Sequence, residues 1–136
     1  MDPPFLGAEQ ELHVGRETVI ESNSPDEMRG VVFEDDGDTG FFYARDYSVP
    51  EHFFVDALHI YNAHGVTDRK KPYRVKIIWT RDFRAAALMI NLIPHAVFDF
   101  AERCGYAKSP FPVPDPSTGW IHSGDLLKTR QLFFLQ

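Results

Sequence analysis

Short apolar runs alternate with turn-forming segments along the chain, a pattern typical of a sheet built from short strands. The clearest example is residues 31–44, where two β-branched and aromatic runs flank the acidic segment 35–40. Aspartate and glycine tolerate the positive φ angles of tight turns. The pattern therefore predicts a β-hairpin with Asp36 and Gly37 at a type I′ corner and with a bulge at Gly40.

Further segments complete the predicted sheet. Residues 13–22 alternate imperfectly and predict a first strand, after an irregular lead-in over residues 1–12. Residues 53–61 are apolar on both faces, which favours a central strand over a short helix. Residues 73–80 and 84–91 predict a second hairpin, because apolar and basic positions alternate in the first of these two runs.

One helix is predicted over residues 94–105. Pro94 suits a first helical turn, since its missing N–H would be unpaired there, and Gly105 is typical of a helix end. Apolar residues between them recur at helical spacing and predict a face packed on the sheet. The residues of this stripe are Ala96, Val97, Phe100, Ala101 and Cys104. Four prolines in residues 107–119 then predict an extended Pro-rich arm.

Together these elements predict an α+β fold, with one principal helix (about 94–105) packed on a meandering, largely antiparallel sheet of five to seven strands. A length of 136 residues suits a single domain, 1–136, whose core needs no disulfide or metal. The aromatic content of 14%, with 12 Phe, fits a Phe-rich core. The same content also fits a partly exposed aromatic surface that binds another molecule.

The single cysteine, Cys104, supplies no disulfide framework, and the first residues lack the basic and apolar regions of a signal peptide. No stretch of the sequence approaches the ~18 apolar residues of a membrane helix. We therefore expect a cytoplasmic protein with no membrane partner. We also expect Cys104 to be a small buried hydrophobe rather than a nucleophile.

Charge is distributed unevenly around the formal net charge of −6. Residues 1–60 contain 14 acidic and three basic residues, whereas residues 61–136 contain six acidic and 11 basic residues. The acidic half disfavours nucleic acid, because phosphates would be repelled, and it favours a basic protein as partner. Alternatively, the two halves interleave in space and neutralise each other.

The acidic tip is the leading candidate for a protein contact. Its exposed carboxylates would be Asp35, Asp36 and Asp38, flanked by the aromatic residues Phe41 and Tyr43. Clustered carboxylates with a glycine also fit Ca²⁺, but the spacing differs from that of an EF-hand loop. We therefore predict no metal site and no cofactor here.

A second candidate is a polar cluster of His59, His95 and Asp99. His95 and Asp99 are four residues apart and would share one face of the predicted helix. With His59 they could form the site of a small metal-dependent hydrolase, although the chain has no H-E-x-x-H spacing. No residue can be assigned as catalytic from a motif, and the basic stretch that follows residue 68 is interpreted as a solvated sheet face.

Three segments resemble the signature of a family of small bacterial proteins. These segments are residues 31–44, residues 56–62 and residues 94–100. The family is the domain of unknown function numbered 2251. The resemblance implies a stand-alone bacterial domain, and it supplies no activity, cofactor or catalytic residue.

The leading hypothesis is a non-enzymatic protein-binding module of the immunity or antitoxin type, which would bind a basic protein such as a toxin. Small size, acidity and a solitary domain favour it. The alternatives are the metal-dependent hydrolase and a homodimeric structural protein that associates through its aromatic surface. The sequence leaves catalysis open and favours a protein that is not an enzyme.

Overall fold

The computed structural model describes residues 3–134 and consists of two β-sheets with their connecting turns and loops. The described strands are β1 (Phe5–Leu12), β2 (Thr18–Asn23), β3 (Arg29–Asp35), β4 (Thr39–Asp46), β5 (Asp56–Asn62), β6 (Tyr73–Trp79), β7 (Ala85–Ile90), β8 (Ile93–Asp99), β9 (Cys104–Ala107) and β10 (Ile121–Ser123). Within the described residues, helical structure is limited to short turns at Ala63–Gly65, Pro116–Thr118 and Arg130–Phe134. In the described part of the chain, no helix is long and apolar enough to cross a membrane.

The chain starts in one sheet, builds the second and returns to the first. Strands β2 to β5 form a four-stranded antiparallel meander, and the larger sheet has the order β1-β6-β7-β8-β9-β10. In that sheet β10 pairs with β9 in parallel, whereas its other described pairs are antiparallel. The inner faces of both sheets share one hydrophobic core, in which Phe42 of β4 stacks on Phe98 of β8 at 4.9 Å between ring centroids.

The predicted helix over residues 94–105 is wrong, and with it the α+β fold. The segment forms β8, a turn and β9, and no described helix reaches seven residues. Its apolar stripe arises because β8 is buried on both faces: Ala96 and Phe98 join the inner core, while Val97 joins a second cluster on the outer face. Pro94 is accommodated where the pairing register shifts between β7 and β8.

The two predicted hairpins are confirmed. Strands β3 and β4 pair across the acidic tip, and β6 pairs with β7. The type I′ corner is wrong, because such a turn requires positive φ at both central residues and only Gly37, with φ of 101°, has it. The pairing of β3 with β4 has no register shift at Gly40, so the hairpin bulge is wrong as well; the shift between Gly40 and Phe41 lies in the pairing of β4 with β5.

The N-terminal segment is more regular than the sequence predicts. Residues 5–12, expected to be irregular, pair with β6 along an edge of the larger sheet as β1. Most of the side chains of β1 are exposed and only Leu12 is buried. The sequence of this segment therefore lacks the alternation of apolar and polar residues that would predict a strand. The predicted first strand over residues 13–22 covers all but the last residue of β2, together with the turn before it.

The C-terminal segment covers the outer face of the larger sheet. Phe133, 1% exposed, packs with Leu126 and Leu132 on a cluster that includes Ala87 and Met89 of β7. All six residues of β7 are buried for this reason. A strand covered on both faces is apolar throughout rather than alternating.

This packing predicts that Phe133→Ala lowers the free energy of unfolding by about 3 kcal/mol, through loss of buried area and a residual cavity. Urea unfolding measures the change. Phe134→Ala is the matched control, because its neighbouring ring is 54% exposed, and its cost should stay below about 1 kcal/mol. Equal losses of unfolding free energy in the two variants would contradict the packing of Phe133 on the larger sheet.

Candidate interaction surface

A row of stacked aromatic rings lies on the outer face of the four-stranded sheet. Side chains alternate along β4, so that Phe42 and Ala44 are buried inside while Phe41 and Tyr43 lie outside. The ring of Tyr43 stacks on Phe41 at 5.8 Å and on Phe54 at 4.5 Å, and Phe53 packs edge-on against Phe54 at 4.7 Å. We call Phe41, Tyr43, Phe54 and Phe53 the aromatic row.

Both ends of the row are held by further contacts. At one end the guanidinium carbon of Arg45 lies 4.9 Å from the ring centre of Phe53 and 5.3 Å from that of Phe54. At the other end His59 packs edge-on against Phe41, and Phe111 stacks on His59 at 4.5 Å. The rings are therefore fixed before any partner arrives.

The Pro-rich arm lies along the edge of β5. The backbone N–H of His59 donates to the carbonyl oxygen of Phe111 at 2.8 Å, next to a cis bond between Phe111 and Pro112. Farther along, Asp115 accepts a hydrogen bond from the N–H of Ser117 and caps the turn Pro116–Thr118. The arm covers part of the edge strand that would otherwise expose unpaired backbone groups.

The aromatic row is solvent-facing and lies near acidic groups. Of its four rings, Phe53 is 72% exposed and the other three are half-buried; Phe111, beside the row, is 48% exposed. Burial raises the pKa of the Tyr43 hydroxyl, and the negative charges of Glu34 and Asp36 raise it further. An apolar surface beside carboxylates would suit a partner that presents both apolar and basic groups.

At the tip of the hairpin, Asp36 and Asp38 are exposed. The carboxylate of Asp36 accepts from the backbone N–H groups of Thr39 at 2.8 Å and Asp38 at 2.9 Å. These bonds lower the pKa of Asp36, so it is ionised at neutral pH. The structure thus places two of the three predicted tip carboxylates at the surface.

Asp35, the third predicted tip residue, is 1% exposed and faces inward. Its carboxylate accepts from the hydroxyl of Tyr61 at 2.7 Å and from the N–H groups of Gly15 and Gly37, both at 2.8 Å. Burial and this hydrogen bond raise the pKa of Tyr61. Asp35 therefore joins two turns to β5, and its carboxylate is not available to a partner.

The structure does not bring His59, His95 and Asp99 together. His95 and Asp99 belong to β8, where four residues span about 13 Å. Asp99 is fully buried and pairs with the guanidinium of Arg84 at 3.0 and 2.9 Å, while His59 bonds to Asn62 on the outer face of the other sheet. Across residues 3–134, no three His, Cys, Asp or Glu side chains lie close enough to hold a metal ion.

His95 instead lines an apolar cavity between the two sheets. Its neighbours around the cavity include Leu12, Ile60, Tyr73 and Ile90. Burial lowers the pKa of His95, because the apolar surroundings disfavour the imidazolium ion.

A buried contact between a histidine and a carboxylate joins the two sheets, and the sequence does not predict it. The Nε2 atom of His122, in β10, lies 2.8 and 2.9 Å from the carboxylate oxygens of Asp56, in β5. The side chains are 6% and 2% exposed, and burial raises the pKa of Asp56 against the opposing effect of His122. A Cβ at Gly105 would lie 2.7 Å from Asp56 Oδ2, which explains that glycine. The partners are 66 positions apart in the chain, so the sequence contains no local signal for the pair.

The contacts of Asp35 predict that Asp35→Asn lowers the free energy of unfolding by about 2 kcal/mol, since an amide cannot accept from all three buried donors. Asp38→Asn, at an exposed position of the same tip, should change it by less than about 0.5 kcal/mol. Chemical unfolding monitored by tryptophan fluorescence measures the free energy of unfolding of both variants. A cost for Asp38→Asn as large as that for Asp35→Asn would contradict this assignment.

The burial of His95 predicts a pH dependence of stability. A histidine with a lowered folded-state pKa binds fewer protons when folded, so the free energy of unfolding falls as the pH drops below 6.5 and through that folded pKa. Between about pH 7.5 and pH 5 we expect His95→Gln to lose less stability than the wild type. Urea unfolding at both pH values is the measurement, and His64→Gln, at an exposed position, should behave as the wild type. Identical pH dependence in wild type and His95→Gln would refute it.

The chain is similar in sequence to proteins of one bacterial family. Residues 12–133 match the family described as "Uncharacterized protein conserved in bacteria (DUF2251)". A protein of Haemophilus influenzae, named "Uncharacterized protein", is 39% identical over 116 residues, which cover 85% of this chain and 72% of that protein. No solved structure matches the chain. The chain belongs to this bacterial family, the domain of unknown function numbered 2251, as the resemblance of its three segments predicts.

Proposed function

We propose that this chain is a non-enzymatic protein-binding module that contacts its partner through the aromatic row and the exposed tip residues Asp36 and Asp38. The observation that carries the proposal is the row itself. Three rings are stacked face to face on the outer face of a sheet, and the fourth, Phe53, packs edge-on against Phe54 and is 72% exposed. Exposed aromatic clusters of this kind mark binding sites more often than they mark inert surface.

The fixed positions of the rings in the aromatic row support a role in partner binding. Aromatic anchors dominate the energetics of protein interfaces, and they contribute most when little freedom is lost on binding. Here Arg45 fixes one end of the row and His59 the other. A partner would therefore meet rings that are already positioned.

The charge around the row supports a basic partner. The negative charges of Glu34 and Asp36 raise the pKa of the Tyr43 hydroxyl, and Asp38 is a further exposed carboxylate at the tip. Carboxylates at the rim of an apolar contact accelerate encounter with a positive surface and disfavour acidic partners. The specific form that we propose is an immunity or antitoxin-type protein whose partner is a basic toxin.

The test is the affinity of the natural partner, captured from the native host on the immobilised chain and then purified. Phe53→Ala should weaken binding by about 30-fold, the effect of a hot-spot residue. Leu92→Ala is the matched control. Leu92 is also 72% exposed, but it lies in the turn between β7 and β8 of the larger sheet, away from the aromatic row. It should leave the affinity unchanged.

A second arm of the test addresses charge. Replacing both Asp36 and Asp38 by Lys should weaken binding further and reduce its dependence on salt. Affinity that Phe53→Ala leaves unchanged would refute the proposal. A dimer of this chain that Phe53→Ala dissociates, with no other protein captured, would instead identify a second copy as the occupant of the surface.

A further inference from the structure

The apolar cavity that His95 lines has a volume of about 260 Å³ and lies at one end of the two packed sheets. Strands β1, β5 and β7 finish at this end, and β6 and β8 begin there. Its walls are mainly aliphatic and include Leu12 of β1, Ile60 of β5 and Ile90 of β7. Ile93, also in the lining, is 60% exposed, so the cavity opens to solvent.

A bulge in β8 turns His95 into this cavity. Leu88 and Met89 of β7 pair with Ala96 and Pro94, which leaves His95 as the extra residue of β8. Pro94 lies on the outer face, whereas His95 lines the cavity beside Ala96 of the inner core. Regular alternation from Ala96 would place His95 on the outer face. Bulges re-aim side chains in this way, and they are frequent next to functional sites.

The His95 ring has no hydrogen-bond partner among residues 3–134. Burial alone lowers its pKa, and no hydrogen bond acts on the imidazole. Other polar side chains of the lining are already bonded: Tyr61 donates to Asp35, Tyr73 donates to a backbone carbonyl, and Asn91 accepts from a backbone N–H. A neutral imidazole has one donor and one acceptor nitrogen, and a hydroxyl group can bond to either.

We propose that this cavity binds a small uncharged molecule with an apolar ring and one hydroxyl group, and that the hydroxyl bonds to His95. An apolar cavity of about 150 Å³ is large enough to bind benzene. The volume here, about 260 Å³, therefore accommodates a substituted ring. The aliphatic walls would supply most of the affinity, and the single polar group would orient the ligand.

This inference goes beyond the proposed function, because it concerns a different surface and a different kind of ligand. The aromatic row lies on the outer face of the four-stranded sheet, whereas the cavity lies between the sheets. Neither site depends on the other.

The surroundings of the cavity favour an uncharged ligand over a carboxylate. The lining formed by residues 3–134 contains no Lys or Arg side chain, so an anion would lose hydration without gaining a cation. Behind the lining, the Tyr61 hydroxyl donates to the buried carboxylate of Asp35 at 2.7 Å, and an anion would meet this like charge. His95 is uncharged at neutral pH, because burial lowers its pKa.

The test is a titration of the 136-residue chain with p-cresol, followed by backbone amide NMR at about pH 7.5. The hydroxyl of p-cresol is that of a tyrosine side chain, so it is uncharged at this pH. We expect saturable shifts at residues 12–14, 60–66 and 90–96. The corresponding carboxylate, p-toluate, should bind at least about tenfold more weakly.

A second ligand and two variants isolate the contact with His95. In p-xylene a methyl group replaces the hydroxyl of p-cresol and the shape is unchanged. The ratio of the p-xylene to the p-cresol dissociation constant should fall about fivefold in His95→Leu, because leucine cannot bond to the hydroxyl. His52→Leu is the matched control, since His52 is also half-buried but lies before β5 and outside the cavity. Its ratio should equal that of the wild type.

Three results overturn the inference: no saturable shift at the cavity, equal affinity for p-cresol and p-toluate, or an unchanged ratio in His95→Leu. The first two results come from the wild-type chain, so they decide the question even if His95→Leu does not fold. Saturable p-cresol binding at the cavity, with the ratio lowered in His95→Leu alone, supports it.

Discussion

The packing of Phe42 against Phe98 in the core determines what the protein presents to solvent. Side chains alternate along a strand, so fixing Phe42 inside places Phe41 and Tyr43 outside. A slip of one residue would exchange the two sets and place the aromatic row in the core. The outer surface of the four-stranded sheet is thus a consequence of how its inner surface packs.

Two buried carboxylates then hold the elements around that sheet. Asp35 joins the tip of the hairpin to the turn after β1 and to Tyr61, while Asp56 joins β5 to β10 through His122. Removing one partner of such a buried, bonded group is costly because the other is left unsatisfied. These side chains have structural roles, whereas the exposed acids at the tip have no comparable buried contacts.

How much the sequence predicts depends on how local each signal is. The hairpins are legible because their strands and turns are neighbours in the chain. The stripe in residues 94–105 indicated a helix, because apolar residues on both faces of a strand can imitate helical spacing when a second segment covers the outer face. The apolar run that contains Phe133 indicates a tail that packs on the body, but nothing local shows that it covers β7 and β8.

The same distinction applies to the candidate surface. Phe41, Tyr43 and the exposed acids Asp36 and Asp38 were predicted from one hairpin. Asp35 is adjacent to them but buried, since its donors come from Gly15 and Tyr61, which are distant in the chain. The hydrogen bond that ties the Pro-rich arm to β5, from the His59 N–H to the Phe111 carbonyl, likewise joins segments that lie far apart in the sequence.

The central claim is that the outer face of the four-stranded sheet is the partner contact. Hydrogen–deuterium exchange of the chain, measured alone and in complex with its natural partner, tests it most directly. We expect backbone amides in β4, in β5 and in residues 110–118 to exchange more slowly when the partner is bound. Amides in the turn between β7 and β8 should change little. Protection confined to the outer face of the larger sheet, with β4 and β5 unchanged, would contradict it.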